Sequence, residues 1–464
     1  MNNLLLLTDS YKVTHWRQYP PGTEKIYSYL ECRDGASFPE TCFFGLQYYL
    51  KKYLEGKVVT KEKIDEADAL LAKHFNDSTL FNRKGWEYIL DKYDGHLPIS
   101  IKAVQEGTCV PISNVMMTVE NTDPQCAWLT SYLETLLVQC WYGSTVATQS
   151  REMKIMLLNY LEDTGDPLLV DFKMHDFGFR GVSSVESAGV GGCAHLVNFK
   201  GTDTLEALIV ARDYYDCPMA GYSIPAAEHS TMTCWGHKSQ QDAFKMMLEQ
   251  YPTGLVAVVS DSYDINSAIM GTWHTLKEQV YARDGILIIR PDSGKLPDAL
   301  LQVIAWTGQV FGTEKNNKGY MVLHPKVRII QGDGIDFPTF KTCLQALKSA
   351  RWSTDNIAFG SGGGLLQKLN RDTQRFAFKC SSATIHGLEQ AVFKQPSTDP
   401  RKHSKQGRMK LVLGAESPVS GSKPRLVTTG PSDSRSDYLL EVFLNGKILY
   451  TTTLDQIRER AFVV

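Results

Sequence analysis

The 464-residue sequence lacks most of the signatures that announce a function outright. Its ten cysteines are scattered and form no Cys-x-x-Cys pair, which excludes a zinc ribbon and a thioredoxin-like redox site. They read as dispersed buried thiols of a reducing, cytoplasmic setting. There is no G-x-x-x-x-G-K-[ST] phosphate loop and no H-E-x-x-H zinc motif. The stretch GSGGG at 360–364 is not a dinucleotide fingerprint, because Leu365 stands where the third glycine belongs. Excess charge is also missing: the net charge of -2 supplies no global field for nucleic acid or anionic lipid. No apolar run is long enough to span a bilayer. The opening MNNLLLLTDSYKVTHW has neither the basic flank nor the cleavage site of a signal peptide.

What is present is a rhythm. The length exceeds one compact core, so two domains are expected. Through the middle, short apolar runs end in Gly, Asp, Ser or His: LLVDFKMHDFGFRG (168–181), GYSIPAAEHS (221–230), GLVAVVSDSYD (254–264), GILIIRPDSG (285–294), KVRIIQGDGID (326–336) and NIAFGSGGG (356–364). Amphipathic segments at 239–251, 296–308 and 337–350 fall between them. Buried strands alternating with such helices predict βα units and a parallel sheet. The flanks differ. Residues 98–120 alternate like antiparallel strands, and 437–453 read as a hairpin about Asn445-Gly446. The expected fold is therefore α/β: a βα-barrel-like, partial TIM-type domain at 161–379, and an α+β domain formed by both chain ends, 1–160 with 380–464.

In such barrels the chemistry sits at the C-terminal strand ends, where every polar cluster above falls. GSGGG and QGDG (331–334) allow close backbone approach to a phosphate, although each alone is equally a tight βα turn. Arg290 and Asp292 share one strand end, as a phosphate clamp with a sugar or magnesium ligand, or as an internal ion pair. The run 394–410 carries Lys394, Arg401, Lys402, Lys405, Arg408 and Lys410 against Asp399, which suits a polyphosphate or is simply a solvated basic loop. Phe177 and Phe179 beside Arg180 can floor a flat ring. Asp203 precedes a helix. Glu228 and His229 adjoin but point to opposite sides. Together these residues describe a barrel enzyme for a phosphorylated sugar and a flat aromatic partner: a transferase, an isomerase, or an aldolase with Lys173 as its Schiff-base candidate.

The stretches TDSYKVTHW, YPPGTEKIYSYLECR, HDFGFRGVSS, HLVNFKGTDT, GYSIPAAEHST, VVSDSYD, LIIRPDSG, QGDGID and AFGSGGGLLQKLNRD together resemble the nicotinamide phosphoribosyltransferases, of the type II phosphoribosyltransferase family. The resemblance implies transfer of the phosphoribosyl group of phosphoribosyl pyrophosphate to nicotinamide, giving nicotinamide mononucleotide and pyrophosphate in NAD salvage. It implies Mg²⁺ as cofactor with no ligands assigned, ATP as co-substrate, and a homodimer with shared active sites. By resemblance Phe177 and, from the second subunit, Tyr11 sandwich the ring, Asp203 binds the carboxamide, and Arg180 and Asp292 lie about the base and ribose. Arg290, Gly332, Asp333, Gly362, Gly363 and Arg371 take the ribose phosphate. Arg33, Lys379, Lys394 and Lys402 surround the phosphates, with Arg33 reaching across the dimer. His229 is the histidine that ATP phosphorylates, and with Asp292 it forms the catalytic pair. A carboxylate at 203 accepts from an amide but repels nicotinic acid, which argues against the alternative, a nicotinate phosphoribosyltransferase. Ala257 departs from the pattern, standing where vertebrate members carry a serine that lines a channel beside the base.

Overall fold

The computed structural model describes residues 3–397, 403–414 and 425–462. The chain divides into two units, one of Met1–Thr148, Asp213–Cys217 and Asn370–Phe462, the other of Gln149–Arg212 and Pro218–Leu369.

The first unit is built on a seven-stranded, wholly antiparallel sheet. Its order is Leu388–Ala391, Phe376–Ile385, Thr23–Cys32, Val115–Asn121, Ile99–Ala103, Leu440–Leu444 and Lys447–Ile448, so strands from both chain ends share one sheet. The interior strand Thr23–Cys32 is buried continuously over its last seven residues, as expected of a strand covered on both faces. The predicted hairpin forms at Asn445-Gly446, both with positive φ (48° and 81°), the type I′ geometry that two-residue turns favour.

The second unit holds six parallel strands: β1 (Met174–Asp176), β2 (Gly201–Thr202), β3 (Thr253–Val259), β4 (Asp284–Arg290), β5 (Val327–Gln331) and β6 (Ile357–Ser361). Their order is β2-β1-β6-β5-β4-β3. Val256, Val258, Leu287, Ile289 and Ile329 are fully buried, and the amphipathic helices Gln240–Gln250, Asp298–Phe311 and Phe337–Ser349 follow the predicted segments. The sheet is a half barrel of the expected α/β class.

Two expected strands differ. The run 168–181 begins with a 3₁₀ helix, Pro167–Phe172, and only three residues extend as β1. The run 221–230 forms no regular strand. Tyr222 bridges Gly201 on β2 and Ala226 bridges Ala257 on β3, so this segment joins the two open edges of the half barrel by isolated contacts. Pro225 is the physical reason: it has no N–H for a ladder, and offers only its carbonyl, to Ala257 N at 2.9 Å. Among the described residues no helix is long and apolar enough to cross a membrane, and none of the ten cysteines forms a disulfide, seven of them being buried.

Candidate active site

The strand ends of the second unit open into a cavity of about 660 Å³, within the usual range for a small-molecule site. Phe177, Arg180, Asp203, His229, Arg290, Asp292, Gly332 and Asp333 all line it, with Phe179, Thr204 and Glu228. Eight residues singled out from the sequence thus meet in one place.

Phe177 follows β1 and is held by its N–H to Ser361 O (3.0 Å). Its ring lies on the backbone of β6 at Gly360, so closely that any Cβ there would overlap it. Gly332 is similarly pressed, since a Cβ would sit 3.0 Å from Asp292 Oδ1 and 3.6 Å from Phe177. The glycines at these strand ends therefore serve close approach rather than loop flexibility.

Asp203 does not cap its helix. Its Oδ1 accepts from His175 Nε2 (2.8 Å) and Ser223 Oγ (2.5 Å). Burial alone would push this carboxyl up, but the hydrogen bond and charge of His175, the Ser223 hydrogen bond and the Arg290 charge hold it below the usual carboxylate range. It is an ionised acceptor at neutral pH.

His229 opens the short helix His229–Thr233, where the seam 221–227 delivers it to the cavity mouth. Its Nδ1 meets Ser262 Oγ at 3.0 Å, and its Nε2 faces Asp261 Oδ1 at 3.8 Å and Asp292 Oδ2 at 3.7 Å. Asp261 accepts from Asp292 N (2.8 Å) and Ser293 Oγ (2.5 Å) through Oδ2, while its Oδ1 is buried with no hydrogen-bond partner. Burial pushes the Asp292 carboxyl up and Asp261 pushes the same way, against Arg290, whose Nε donates to Asp292 Oδ2 at 3.1 Å. Glu228 makes no bond to His229; its carboxylate takes the Ser230 hydroxyl. The imidazole thus stands half-exposed over two close carboxylates.

Gly362 and Gly363 do not line the cavity. They end β6 beside the Phe177 carbonyl and Gly181, where a Cβ on Gly181 would come within 3.1 Å of Gly363 N. Ala257 is buried in β3 with Ile288 and Ile330 and does not line the cavity either. Lys173 is no Schiff-base candidate: its ammonium is buried at the opposite end of β1, donating to the carbonyls of Thr354, Asp355 and Ile357.

The remaining expected residues belong to the first unit. Tyr11 is 60% exposed on the 3₁₀ helix Ser10–Arg17, which the ion pair Lys12–Glu134 (2.7 Å) anchors. Burial pushes the Lys379 ammonium down. Glu134 opposes that shift, whereas the charges of Arg33, Lys394 and Arg371 add to it, so these four cations form one positive neighbourhood. Arg33 Nε and Nη2 are buried without a hydrogen-bond partner, unspent donors of the kind an anion takes up. Lys402 and Arg401 lie outside the described residues. Two other cations of the basic run are consumed by structure: Lys405 pairs with Glu31, and Arg408 pairs with Glu120 and Glu389.

His175, Ser223, Asp261 and Ser262 were not singled out as site residues. Each stands inside a quoted motif, but its partner lies 20 to 33 positions away. Only the polar strand-end position could have flagged them.

Comparisons with known proteins bear on the family and the fold. Residues 172–446 match the model of the nicotinate phosphoribosyltransferase (NAPRTase) family, and residues 3–101 match that of the nicotinamide phosphoribosyltransferase N-terminal domain. A nicotinamide phosphoribosyltransferase of Xanthomonas campestris pv. campestris is 48% identical over 467 residues, covering 99% of this chain and 98% of its own. One from Acinetobacter baylyi is 32% identical over 494 residues, covering 99% and 97%. Among solved structures, human nicotinic acid phosphoribosyltransferase superposes with a TM-score of 0.60 at 15% identity, covering 98% of this chain and 93% of that one. Nicotinate-nucleotide pyrophosphorylase of Pyrococcus furiosus gives 0.61 at 14%, covering 99% and 95%. These two likenesses concern the fold. The fold and the full-length relatives define a pentosyltransferase: the chain belongs to the nicotinate phosphoribosyltransferase family. Within that family its sequence lies with the members named for nicotinamide.

Proposed function

We propose that the protein transfers the phosphoribosyl group of phosphoribosyl pyrophosphate to the ring nitrogen of nicotinamide, releasing pyrophosphate, and that ATP drives the reaction through a phosphate carried on His229. The observation that carries this reading is an ionised Asp203 beside the Phe177 ring, in the same cavity as His229. A pyridine ring packs on Phe177, and its carboxamide N–H donates to Asp203. Nicotinic acid brings a second anion to the same place and is rejected. The pyridine nitrogen has no proton to lose, so the attack needs positioning and charge stabilisation rather than a general base. Arg290, Gly332 and Asp333 suit the ribose phosphate.

Phosphorylation of His229 forms a bond from a ring nitrogen to the γ-phosphorus of ATP and breaks the bond to ADP. The added charge then stands beside the pyrophosphate site. Asp261 and Asp292 fit Mg²⁺, which uses one or two carboxylates plus substrate phosphates, and the unpartnered Asp261 Oδ1 is an available ligand. Bound there, the ion would supply neutralisation of the leaving pyrophosphate. The reading further includes a cytoplasmic homodimer in which Tyr11 and Arg33 serve the second copy's cavity.

The test is product formation from labelled nicotinamide, with and without ATP, in competition with nicotinic acid. Labelled mononucleotide, stimulated by ATP, is expected. The variant His229→Ala keeps basal transfer and loses the stimulation. Preference for nicotinic acid would sink the reading, and full ATP stimulation in His229→Ala would sink the phosphohistidine.

A further inference from the structure

His175 has no part in the chemistry described so far, yet its side chain is directed at the residue that would choose the base. An ionised carboxylate can only accept, so the bond to Asp203 places a proton on Nε2. The ring cannot turn away. On one side Phe177 lies 4.7 Å from its centroid. On the other Gly201, its register partner on β2, packs so tightly that a Cβ would come 2.7 Å from Nδ1. Ser223 Oγ approaches the same carboxylate oxygen, Oδ1. Oδ2 has no hydrogen-bond partner among the described residues.

We infer that His175 is the positioning residue for base selection: with Ser223 it saturates Oδ1 of Asp203, fixes the carboxylate plane, and leaves Oδ2 alone as the acceptor for an amide N–H. This rests on the reading of Asp203 as the carboxamide acceptor. Two donors on one oxygen turn a freely rotating carboxylate into a single-point acceptor beside the ring floor. A histidine holds the carboxylate through an N–H without the permanent charge of a lysine or arginine, which would cancel the negative charge that repels an acid. The three-residue strand β1 thus supplies the orienting imidazole, and the ring shelf follows it two residues later on the same face.

The experiment measures kcat and KM for nicotinamide, nicotinic acid and phosphoribosyl pyrophosphate in the wild-type protein, His175→Leu and His175→Gln. Glutamine carries a neutral N–H to about the place of Nε2; leucine fills the space without a donor. His175→Leu is expected to raise the nicotinamide KM about tenfold, the equivalent of ~1.4 kcal/mol, with kcat and the KM for phosphoribosyl pyrophosphate within about twofold of wild type. The preference for nicotinamide over nicotinic acid falls in the same variant, and His175→Gln restores most of both. An unchanged nicotinamide KM in His175→Leu overturns the inference, as does a glutamine variant no better than leucine. A parallel rise in both substrates' KM overturns it too, by marking a general loss of structure. A wild-type protein that prefers nicotinic acid overturns the functional reading itself, and this inference with it, so the two failures are told apart by which protein shows them.

Discussion

At the scale of single residues, the position of the Phe177 ring depends on an atom that is missing. Gly360 has ordinary strand geometry and could carry a side chain as far as its backbone is concerned, but Phe177 occupies the place of its Cβ. Gly360→Ala must therefore push the phenyl ring toward the cavity or bend β6. We expect the nicotinamide KM to rise about tenfold and stability to fall by ~1–3 kcal/mol, the usual cost of overpacking, with the KM for phosphoribosyl pyrophosphate little changed. Steady-state kinetics and urea unfolding of the variant check both parts, and an unaltered nicotinamide KM would remove Phe177 from the ring site. Asp261 is the complementary case. One of its oxygens is buried without a partner, 3.8 Å from His229 Nε2, an arrangement that is costly unless a proton or cation completes it.

At the scale of elements, much was legible because the barrel repeats one rule. A buried strand followed by an amphipathic helix returns each polar strand end to the same rim, so Phe177, Arg290, Asp292 and Gly332 could be grouped before any distance was known. The helices Gln240–Gln250, Asp298–Phe311 and Phe337–Ser349 and the Asn445-Gly446 hairpin followed from periodicity and turn chemistry. Three things were not legible. Proline decided the segment 221–227 against a strand although its flanking residues favoured one. Gly362 and Gly363 follow β6 without lining the cavity, and glycine in a sequence does not say which surface it will face. In the basic run, Lys405 and Arg408 are neutralised by Glu31, Glu120 and Glu389, which lie far away in sequence.

At the scale of the whole molecule, acid stability and assembly can both be tested. His195 is fully buried, its Nδ1 2.7 Å from Ser150 Oγ and its Nε2 3.2 Å from Met174 O, and burial pushes its imidazole down to about 3. The unfolded chain takes up a proton near pH ~6.5 that the folded protein refuses, so stability falls as pH drops from there, by up to ~1.4 kcal/mol per pH unit from this group alone. His195→Gln is expected to be less stable than wild type at neutral pH, with the gap closing toward pH ~4, as read from urea midpoints. Parallel acid limbs would assign the loss to other groups. The dimer reading has a sharper test. Tyr11→Ala and Asp203→Ala are each inactive if every cavity draws its tyrosine from the other copy. Refolded together in equal amounts they recover about a quarter of wild-type activity, because half the dimers are mixed and each mixed dimer has one intact cavity. No recovery would place Tyr11 with its own chain's cavity or outside the site. The seam at 221–227 has one more consequence. Five of the barrel's junctions are continuous ladders, but the wall that presents His229 is stitched by two isolated bridges. On the phosphohistidine reading proposed above, the side chain that takes up a doubly charged group and gives it back stands where the rim is held by isolated bridges rather than by a ladder, so a local shift there would break fewer backbone bonds than one anywhere else on the sheet.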